Sequence, residues 1–339
     1  MPNTKFLNAL NRTPQNEPPV WFMRQAGRYH DHYQALKKDH SFEELCKNPL
    51  LAAETAMGPI NEFDFDVAIL FSDILFPLEA LGMDLSYNPG PQFGLHLNEE
   101  NAHSLLVNQN PISFMDFQGE AIERTIERLP DEKSLIGFVG GPWTLLAYAC
   151  NISKDSRKLN FSNFQMGLLD NVILPLLRDN IKLQLNAGAE IVMIFDSTAH
   201  QLAEEDLNIY LDKTFNVLAK EFHNKVGYYA KDGINYETII EKQNKAEINL
   251  AGIGLDSNID LRDYFTKTTN GFVQGNFSEH FLTLPHQEFL PKLDVFINQM
   301  SELTPEDRAG WVCGLGHGVL KTTPQENVKE FVGRIRESF

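Results

Sequence analysis

Two arginines on one short segment are the first residues whose types suggest chemistry. Arg24 and Arg28 are separated by Gln25, Ala26 and Gly27. Each guanidinium presents a planar fork that pairs with a carboxylate or a phosphate through two hydrogen bonds, and Gly27 tolerates backbone angles that other residues avoid. The segment therefore has the chemistry of a clamp for a polyanion. The alternative is that both arginines bridge to carboxylates of the protein itself.

Other polar residues with useful chemistry follow short apolar runs elsewhere in the chain. Asp73 lies in the sequence Phe-Ser-Asp-Ile-Leu, and His317 lies between two glycines, which allow a ligand to approach closely. Tyr148 and Ser197 are further candidates. Each has an ordinary alternative, because Asp73 and Ser197 would also serve as helix N-caps and Tyr148 would also serve as a core residue.

Eight short apolar runs must position these side chains. Runs that are apolar throughout, rather than alternating, are typical of parallel strands covered on both faces. Segments with helical periodicity follow several of them, over about 115–129, 161–186 and 204–222, with a kink expected at Pro175. Residues 87–110 are rich in Pro, Gly and Asn and predict a loop or excursion. The runs are 20–23, 66–71, 135–139, 190–195, 225–229, 250–255, 271–275 and 311–315.

This alternation predicts an α/β protein with a single domain over residues 1–339, folded as a (β/α)8 TIM barrel. The functional site of such a barrel lies at the C-terminal ends of the strands. The candidate side chains directly follow the runs, so we expect all of them on one rim. The other residues predicted on this rim, of which Asp256 is interpreted as structural, are residues 140–143, Asp196, Lys231, Asp232, Asp256 and Asn276.

Composition and charge exclude some classes of partner. The formal net charge of -17 argues against nucleic acid or an anionic membrane as a bulk partner, although the Arg24 and Arg28 segment would still form a local basic site. Hydrophobic residues make up 42% and charged residues 22%, as in globular proteins. No apolar run approaches the ~20 residues that a membrane span needs.

Cysteine usage and the N-terminus indicate a reducing compartment. Cys46, Cys150 and Cys313 form no Cys-x-x-Cys pair and no metal-ligand spacing, which predicts free thiols and no metal site. The polar N-terminus lacks the apolar core of a signal peptide. We therefore predict a cytoplasmic protein.

Five stretches of the sequence resemble the uroporphyrinogen decarboxylase family. The motifs Met-Arg-Gln-Ala-Gly-Arg-Tyr and Phe-Ser-Asp-Ile-Leu together are highly specific for that family, and the match runs nearly end to end. The stretches are 19–29, 68–83 (AILFSDILFPLEALGM), 140–148 (GGPWTLLAY), 187–197 (AGAEIVMIFDS) and 314–326 (GLGHGVLKTTPQE).

The resemblance implies a fold, an activity and a site. The family fold is a (β/α)8 barrel. The family removes the four acetate carboxyl groups of uroporphyrinogen III to give coproporphyrinogen III in haem biosynthesis, without a metal or an organic cofactor, and it implies a homodimer. The resemblance places substrate-binding residues at Arg24 through Arg28, Asp73, Tyr148, Ser197 and His317.

The chemistry of decarboxylation explains why such residues are needed. A pyrrole protonated on a ring carbon accepts the electron pair left by CO₂, so the enzyme must stabilise a cation, and the Asp73 carboxylate would do so electrostatically. The arginines would bind peripheral carboxylates, as would Ser197 and His317. The proton donor is left open between an arginine, which is a poor acid, and an acid relayed through Tyr148.

The chain departs from the family pattern beside these residues. After the Gly-Arg-Tyr motif it has His30, Asp31 and His32 where many members have Leu-Pro-Glu, and residues 198–200 (Thr-Ala-His) replace Trp-Ala-Gly. Ser257 replaces a tryptophan, and residues 277–279 (Phe-Ser-Glu) replace Leu-Asp-Pro. These differences bear on the shape of the rim and the order of substrate use more than on the reaction.

Two other functions fit the same fold. A corrinoid-linked methyltransferase would need a zinc held by a His-x-Cys pair and a distant cysteine, but the sequence has no His-x-Cys, and His317 stands where such relatives tend to have a cysteine. A non-catalytic tetrapyrrole carrier would be expected to have lost Asp73 or one of the arginines, and this chain keeps them.

Overall fold

The computed structural model describes residues 3–88, 90–231, 236–245 and 248–339, without the side chains of residues 244 and 245. Asp232, which the sequence predicts on the rim, lies outside the described residues, as do Met1 and Pro2. Helices and short strands alternate along the chain, and most of the strands are buried along their whole length. The predicted α/β class is confirmed.

Parallel strands form one curled sheet of seven strands, in the order β1-β4-β5-β6-β7-β8-β9. A separate antiparallel hairpin, β2 with β3, overlaps the start of the stretch 87–110 predicted as a loop or excursion: β2 ends at residue 87, and β3 lies inside the stretch. The strands of the described residues are β1 (Val67–Ile69), β2 (Leu85–Tyr87), β3 (Pro91–Phe93), β4 (Ser134–Gly140), β5 (Val192–Asp196), β6 (Val226–Ala230), β7 (Gly252–Gly254), β8 (Phe272–Phe277) and β9 (Trp311–Leu315).

Helices connect successive strands of the sheet. Those of the described residues are α1 (Thr4–Leu10), α2 (Asp31–Asp39), α3 (Phe42–Lys47), α4 (Pro49–Phe63), α5 (Phe76–Ala80), α6 (Ala102–Leu105), α7 (Pro111–Phe114), α8 (Asp116–Ile126), α9 (Pro142–Ala149), α10 (Asn163–Leu168), α11 (Leu174–Asn186), α12 (Glu204–Leu218), α13 (Tyr236–Lys245), α14 (Leu261–Lys267), α15 (His286–Ser301) and α16 (Gln325–Ser338). None of these helices combines the length and the apolar content that crossing a bilayer requires.

The helix predicted over 161–186 is divided by a turn of π-helix. This turn, Leu169–Ile173, joins α10 to α11 and ends two residues before Pro175. Proline has no N–H to donate and its ring collides with the preceding turn, so the regular hydrogen-bond ladder is interrupted there. The interruption lies where the kink was expected.

The first apolar run, 20–23, does not form a strand. The sequence predicts a closed barrel of eight strands, whereas the structure has a curled sheet of seven. Val20 forms only an isolated parallel bridge with Cys313 of β9. Pro18 and Pro19 have no N–H, so the ladder cannot extend toward the N-terminus. Arg24 then takes a left-handed φ of 57°, which ends the extended conformation.

The segment at Val20 nevertheless lies between the two ends of the sheet. On one side the Trp21 N–H donates to the Cys313 carbonyl at 3.0 Å. On the other side the Asp66 N–H donates to the Val20 carbonyl at 3.0 Å, and the Asp66 carboxylate accepts the Val20 N–H at 2.8 Å. Asp66 directly precedes β1, and its buried carboxylate also lies 2.7 Å from the Lys5 ammonium. One carboxylate therefore fixes the position of the segment that leads into Arg24.

We predict that Asp66→Ala lowers the free energy of unfolding by about 3 kcal/mol, because it leaves the buried Val20 N–H without an acceptor and leaves the Lys5 ammonium with Glu17 as its remaining carboxylate partner. Urea unfolding followed by circular dichroism measures the change. Asp39→Ala, at an exposed position at the end of α2, is the control and should change stability by less than about 0.5 kcal/mol. Equal stability of the two variants would contradict the role assigned to Asp66.

Candidate active site

A cavity of about 190 Å³ lies at the C-terminal ends of the strands. Its walls come from the segment after Val20, from the residues that follow β1, β5 and β9, and from the C-terminal halves of β4 and β6. The residues that line it are Met23, Arg24, Gln25, Ala26, Ala56, Ile69, Leu70, Phe71, Ser72, Asp73, Ile74, Phe138, Phe195, Ser197, Tyr229, His317 and Gly318.

Side-chain hydrogen bonds to backbone carbonyls hold the segment that carries Arg24. The buried Gln25 side chain donates to the carbonyl of Val67 in β1 at 3.1 Å, and the Tyr29 hydroxyl donates to the Gln25 carbonyl at 2.6 Å. The Arg24 stem packs on Gly318, where an added Cβ would lie 2.5 Å from the Arg24 Cδ atom. Only glycine leaves room for the arginine at that position.

Arg24 and Arg28 differ from every other arginine of the chain. Within the described residues the others donate hydrogen bonds to carboxylates or carbonyls. Among the same residues neither Arg24 nor Arg28 donates a side-chain hydrogen bond or forms an ion pair, and both are exposed. The alternative that they bridge to structural carboxylates therefore finds no support here, and both guanidiniums are available to an anion.

Asp73 occupies the cavity wall directly after β1. Its Oδ1 atom accepts the Leu75 N–H at 2.8 Å, which fixes the carboxylate at the start of the turn into α5. Burial raises the pKa of Asp73, while the Leu75 N–H, the Tyr87 hydroxyl and the Arg24 guanidinium lower it. The cavity wall thus holds a half-buried carboxylate with a guanidinium near it.

Three aromatic side chains form the wall on the side of β4, β5 and β6. The rings of Phe138 and Phe195 lie 5.6 Å apart between centroids, and those of Phe195 and Tyr229 lie 6.2 Å apart. The Tyr229 hydroxyl donates to the Gly316 carbonyl at 2.9 Å, next to His317. The sequence interpretation missed these residues, although each lies near the end of one of three consecutive apolar runs.

His317 and Ser197 both line the cavity. Burial lowers the pKa of His317, and Arg24 and Lys231 lower it further, whereas the Gly318 carbonyl and Glu279 raise it. The imidazole is therefore neutral at neutral pH, so it would meet a ligand as a hydrogen-bonding group rather than as a cation.

Tyr148, Gly27 and Arg28 do not line this cavity. Tyr148 lies near the end of α9 and is half-buried, with the Lys154 ammonium 5.7 Å from its ring centroid. Arg28 lies four residues after Arg24 on the same segment and is exposed. The structure thus brings Arg24, Gln25, Ala26, Asp73, Ser197 and His317 together and leaves these three outside the enclosed space.

Asp196 has a structural environment, although it also follows an apolar run. Its carboxylate is fully buried and accepts hydrogen bonds from Thr144 at 2.8 Å, from Tyr228 at 3.0 Å and from Tyr210. The chain passes so close at Gly141 that an added Cβ would lie 2.3 Å from this carboxylate. Asp196 therefore holds the start of α9 against β5 and is not a cavity residue.

Asp256 and Asn276 also lie outside the cavity. The Asn276 amide donates to the carbonyls of Asp256 and Ile259 at 2.7 Å each, and the Asp256 carboxylate accepts the Asn258 N–H at 2.9 Å. These contacts hold the turn after β7, which agrees with the prediction that Asp256 is a structural residue.

The described residues contain no cluster of three or more His, Cys, Asp or Glu side chains that is arranged to hold a metal ion. All three cysteines are free thiols, as predicted, and Cys46 and Cys313 are buried.

Known proteins are similar to this chain over nearly its whole length. The family described as "Uroporphyrinogen decarboxylase (URO-D)" matches residues 1–338. The chain belongs to the uroporphyrinogen decarboxylase family. A uroporphyrinogen decarboxylase of Orientia tsutsugamushi (strain Ikeda) is 33% identical over 98% of both chains. One of Prochlorococcus marinus (strain MIT 9215) is 32% identical over 96% of this chain and 95% of the relative. The family predicted from the motifs is confirmed.

Solved structures share the fold of this family member at lower identity. A methyltransferase from Methanosarcina mazei has a TM-score of 0.74 at 18% identity and covers 99% of this chain and 98% of its own. A putative vitamin-B12 independent methionine synthase from Listeria monocytogenes has a TM-score of 0.55 at 12% identity, covering 96% and 97%. At these identities the likeness concerns the fold alone.

Asp73 and Asp196 both follow apolar runs of the sequence, but Asp196 is the acceptor of three buried hydroxyls. Asp196→Ala should lower the free energy of unfolding by at least about 3 kcal/mol, because three buried hydroxyls lose their acceptor. The control is Asp212→Ala, which removes a surface ion pair with Lys242 and should cost less than about 1 kcal/mol. Urea unfolding distinguishes the two. An unchanged unfolding free energy for Asp196→Ala would show that this residue is not structural.

Proposed function

We propose that this protein removes the acetate carboxyl groups of uroporphyrinogen III, giving coproporphyrinogen III, with Asp73 as the central residue of the cavity. The chain is an enzyme of the uroporphyrinogen decarboxylase family. The observation that carries the proposal for the site is a half-buried Asp73 beside Arg24 in one cavity, with neither Arg24 nor Arg28 paired to another described residue. Such a site suits a ligand with acidic arms around a ring that becomes cationic.

The proposed reaction uses the substrate as its own electron sink. A proton adds to a pyrrole ring carbon, and the ring becomes a cation. The bond between the acetate methylene and its carboxylate then breaks, CO₂ leaves, and the electron pair of that bond neutralises the ring. A second proton converts the methylene into a methyl group, and the first proton then leaves the ring carbon, which restores the aromatic pyrrole. The Asp73 carboxylate would stabilise the cationic ring, and a preorganised group of this kind contributes ~10²–10³-fold to the rate.

The arginines have the complementary role of binding acidic arms. Arg24 lines the cavity and would pair with the arm nearest to the reacting ring, while Arg28 would bind an arm outside the enclosed space. Ser197 and the neutral His317 would donate hydrogen bonds to further carboxylates. Tyr148, which lies beyond the cavity wall, would contact the substrate only outside the enclosed space.

The volume of the cavity determines how much of the substrate enters. A volume of about 190 Å³ lies below the ~300–1,000 Å³ that is usual for pockets enclosing a whole drug-sized ligand. We therefore propose that one pyrrole with its acetate arm enters at a time, against the faces of Phe138, Phe195 and Tyr229, and that the rest of the macrocycle remains at the mouth. Four successive decarboxylations would then require the substrate to turn.

The barrel architecture, the domain organisation, the compartment and the oligomeric state are proposed on the likeness to the family. The seven-stranded sheet and the Val20 segment, hydrogen-bonded on both sides, would represent the family's (β/α)8 barrel, as one domain over residues 1–339. A cytoplasmic homodimer that works without a metal or organic cofactor is proposed on the same basis.

The test of this function is anaerobic incubation with uroporphyrinogen III, with the products separated by their number of carboxyl groups. The proposal predicts products with seven, six, five and finally four carboxyl groups. Tight binding of the substrate without any loss of carboxyl groups would instead support a tetrapyrrole carrier.

Arg28→Ala should reduce kcat/KM by at least ~100-fold, because a charge-assisted bidentate contact contributes about 3 kcal/mol when it is well oriented. Arg124→Ala is the matched control, since that exposed arginine pairs with Glu127 on α8 and lies outside the cavity lining. Its kcat/KM should equal that of the unmodified protein. Near-normal turnover by Arg28→Ala would contradict the proposed clamp.

A further inference from the structure

A row of buried amide side chains runs from the sheet to the wall of the cavity. Successive hydrogen bonds join Gln184 of α11 to Gln118 of α8, and Gln118 to Ser72, which lines the cavity directly before Asp73. Gln118 is 2% exposed and Gln184 is fully buried. The reaction proposed above gives none of these three residues a role, although burying polar groups is costly unless each finds a partner.

The backbone of β4 fixes the polarity of this row. The Phe138 N–H donates to Gln184 Oε1, and the Phe138 carbonyl accepts from Gln184 Nε2, each at 2.9 Å. Because a backbone N–H only donates and a carbonyl only accepts, the amide of Gln184 has a single orientation. Its side chain lies against the strand at Gly137, where an added Cβ would be 2.1 Å from Oε1.

The polarity of Gln184 determines that of Gln118. Gln184 Nε2 also donates to Gln118 Oε1 at 3.4 Å. The opposite end of the Gln118 amide is then Nε2, which donates to Ser72 Oγ at 2.8 Å. The reverse orientation of Gln118 would set its N–H groups against those of Gln184. The row therefore reaches the cavity with a fixed direction, and Ser72 Oγ is an acceptor toward Gln118.

The proton of the Ser72 hydroxyl is consequently directed away from Gln118. A hydroxyl has one proton to donate, and among the described residues the Ser72 hydroxyl donates to no group of the protein. Ser72 is half-buried and lines the cavity beside Asp73. A carboxylate that enters the cavity would accept this proton in a charge-assisted hydrogen bond, which is stronger than a neutral one.

We propose that Ser72 is a further substrate-binding residue, whose hydroxyl donates a hydrogen bond to an acidic arm of the pyrrole that enters the cavity, and that Gln118 is the positioning residue that orients it. This inference rests on the proposed function. The bound arm is the propionate, which the ring keeps, because a hydrogen bond to the departing carboxylate would stabilise the ground state and oppose the loss of CO₂. Ser72 would thereby fix the rotation of the ring opposite Asp73.

Steady-state kinetics of anaerobic uroporphyrinogen III decarboxylation test the role of Ser72. Ser72→Ala should raise KM by at least about tenfold, because the donor to a charged arm is lost. It should change kcat by less than about threefold, because the retained arm is bound equally before and during the reaction. Ser113→Ala, at an exposed position on α7, is the control and should leave both constants unchanged. A KM of Ser72→Ala within about twofold of that of the unmodified protein would overturn the proposal.

A cycle of variants tests the positioning role of Gln118. Gln118→Met keeps a side chain of similar length without a donor, and Gln184 Nε2 keeps the Phe138 carbonyl and Asn180 Oδ1 as acceptors. This substitution should raise KM by about threefold or more when Ser72 is present and should have no further effect on Ser72→Ala. Equal effects in both backgrounds would show that Gln118 does not act through Ser72.

The contact can also be measured without substrate. The effects of Ser72→Ala and Gln118→Met on the unfolding equilibrium constant in urea should depart from additivity by about two- to tenfold. If this coupling is seen while the unmodified protein does not decarboxylate uroporphyrinogen III, the proposed function fails and the contact stands. If decarboxylation occurs and Ser72→Ala has the KM of the unmodified protein, the inference about Ser72 fails.

Discussion

The cavity is arranged around one carboxylate, the half-buried Asp73 in its wall beside Arg24. Burial disfavours the ionised form of Asp73, and the protein opposes this effect with the Leu75 N–H, the Tyr87 hydroxyl and the Arg24 guanidinium. A charge held in this way is already oriented, so little reorganisation is needed when a positive charge develops opposite to it. Within the described part of the chain, Arg24 and Arg28 have no ion-pair partner, so both guanidiniums would be available to the acidic arms of the proposed substrate.

The scaffold around this carboxylate is fixed by contacts far from the chemistry. Asp66 holds the Val20 segment between the ends of the sheet. Four residues after Val20, Arg24 has a left-handed backbone, and its aliphatic stem packs on Gly318. On the opposite side Asp196 holds α9 against β5 through buried hydroxyls. Two buried aspartates therefore act as structural anchors, while Asp73 remains available in the cavity.

Much of the architecture could be predicted because buried parallel strands are apolar throughout. Each of the six apolar runs from 135–139 onward contains one strand of the sheet, β4 to β9. Run 20–23 is equally apolar but forms only an isolated bridge at Val20. The prolines before this run and the left-handed backbone at Arg24 explain the difference. The site was only partly predictable. Asp73 and Asp196 both follow apolar runs in the sequence, and their sequence context does not say which of them accepts hydrogen bonds from three buried hydroxyls. Residues 87–110 are predicted as a loop or excursion, and the sequence pattern did not reveal the hairpin of β2 and β3 that overlaps the start of this stretch.

The central claim is that the charge of Asp73, rather than its shape, drives the reaction, and Asp73→Asn tests it most directly. The measurement is the anaerobic rate of CO₂ loss at saturating uroporphyrinogen, with folding checked by thermal unfolding. The account predicts a folded protein whose rate is lower by at least ~10²–10³-fold. A folded variant that keeps a large share of the normal rate would contradict it.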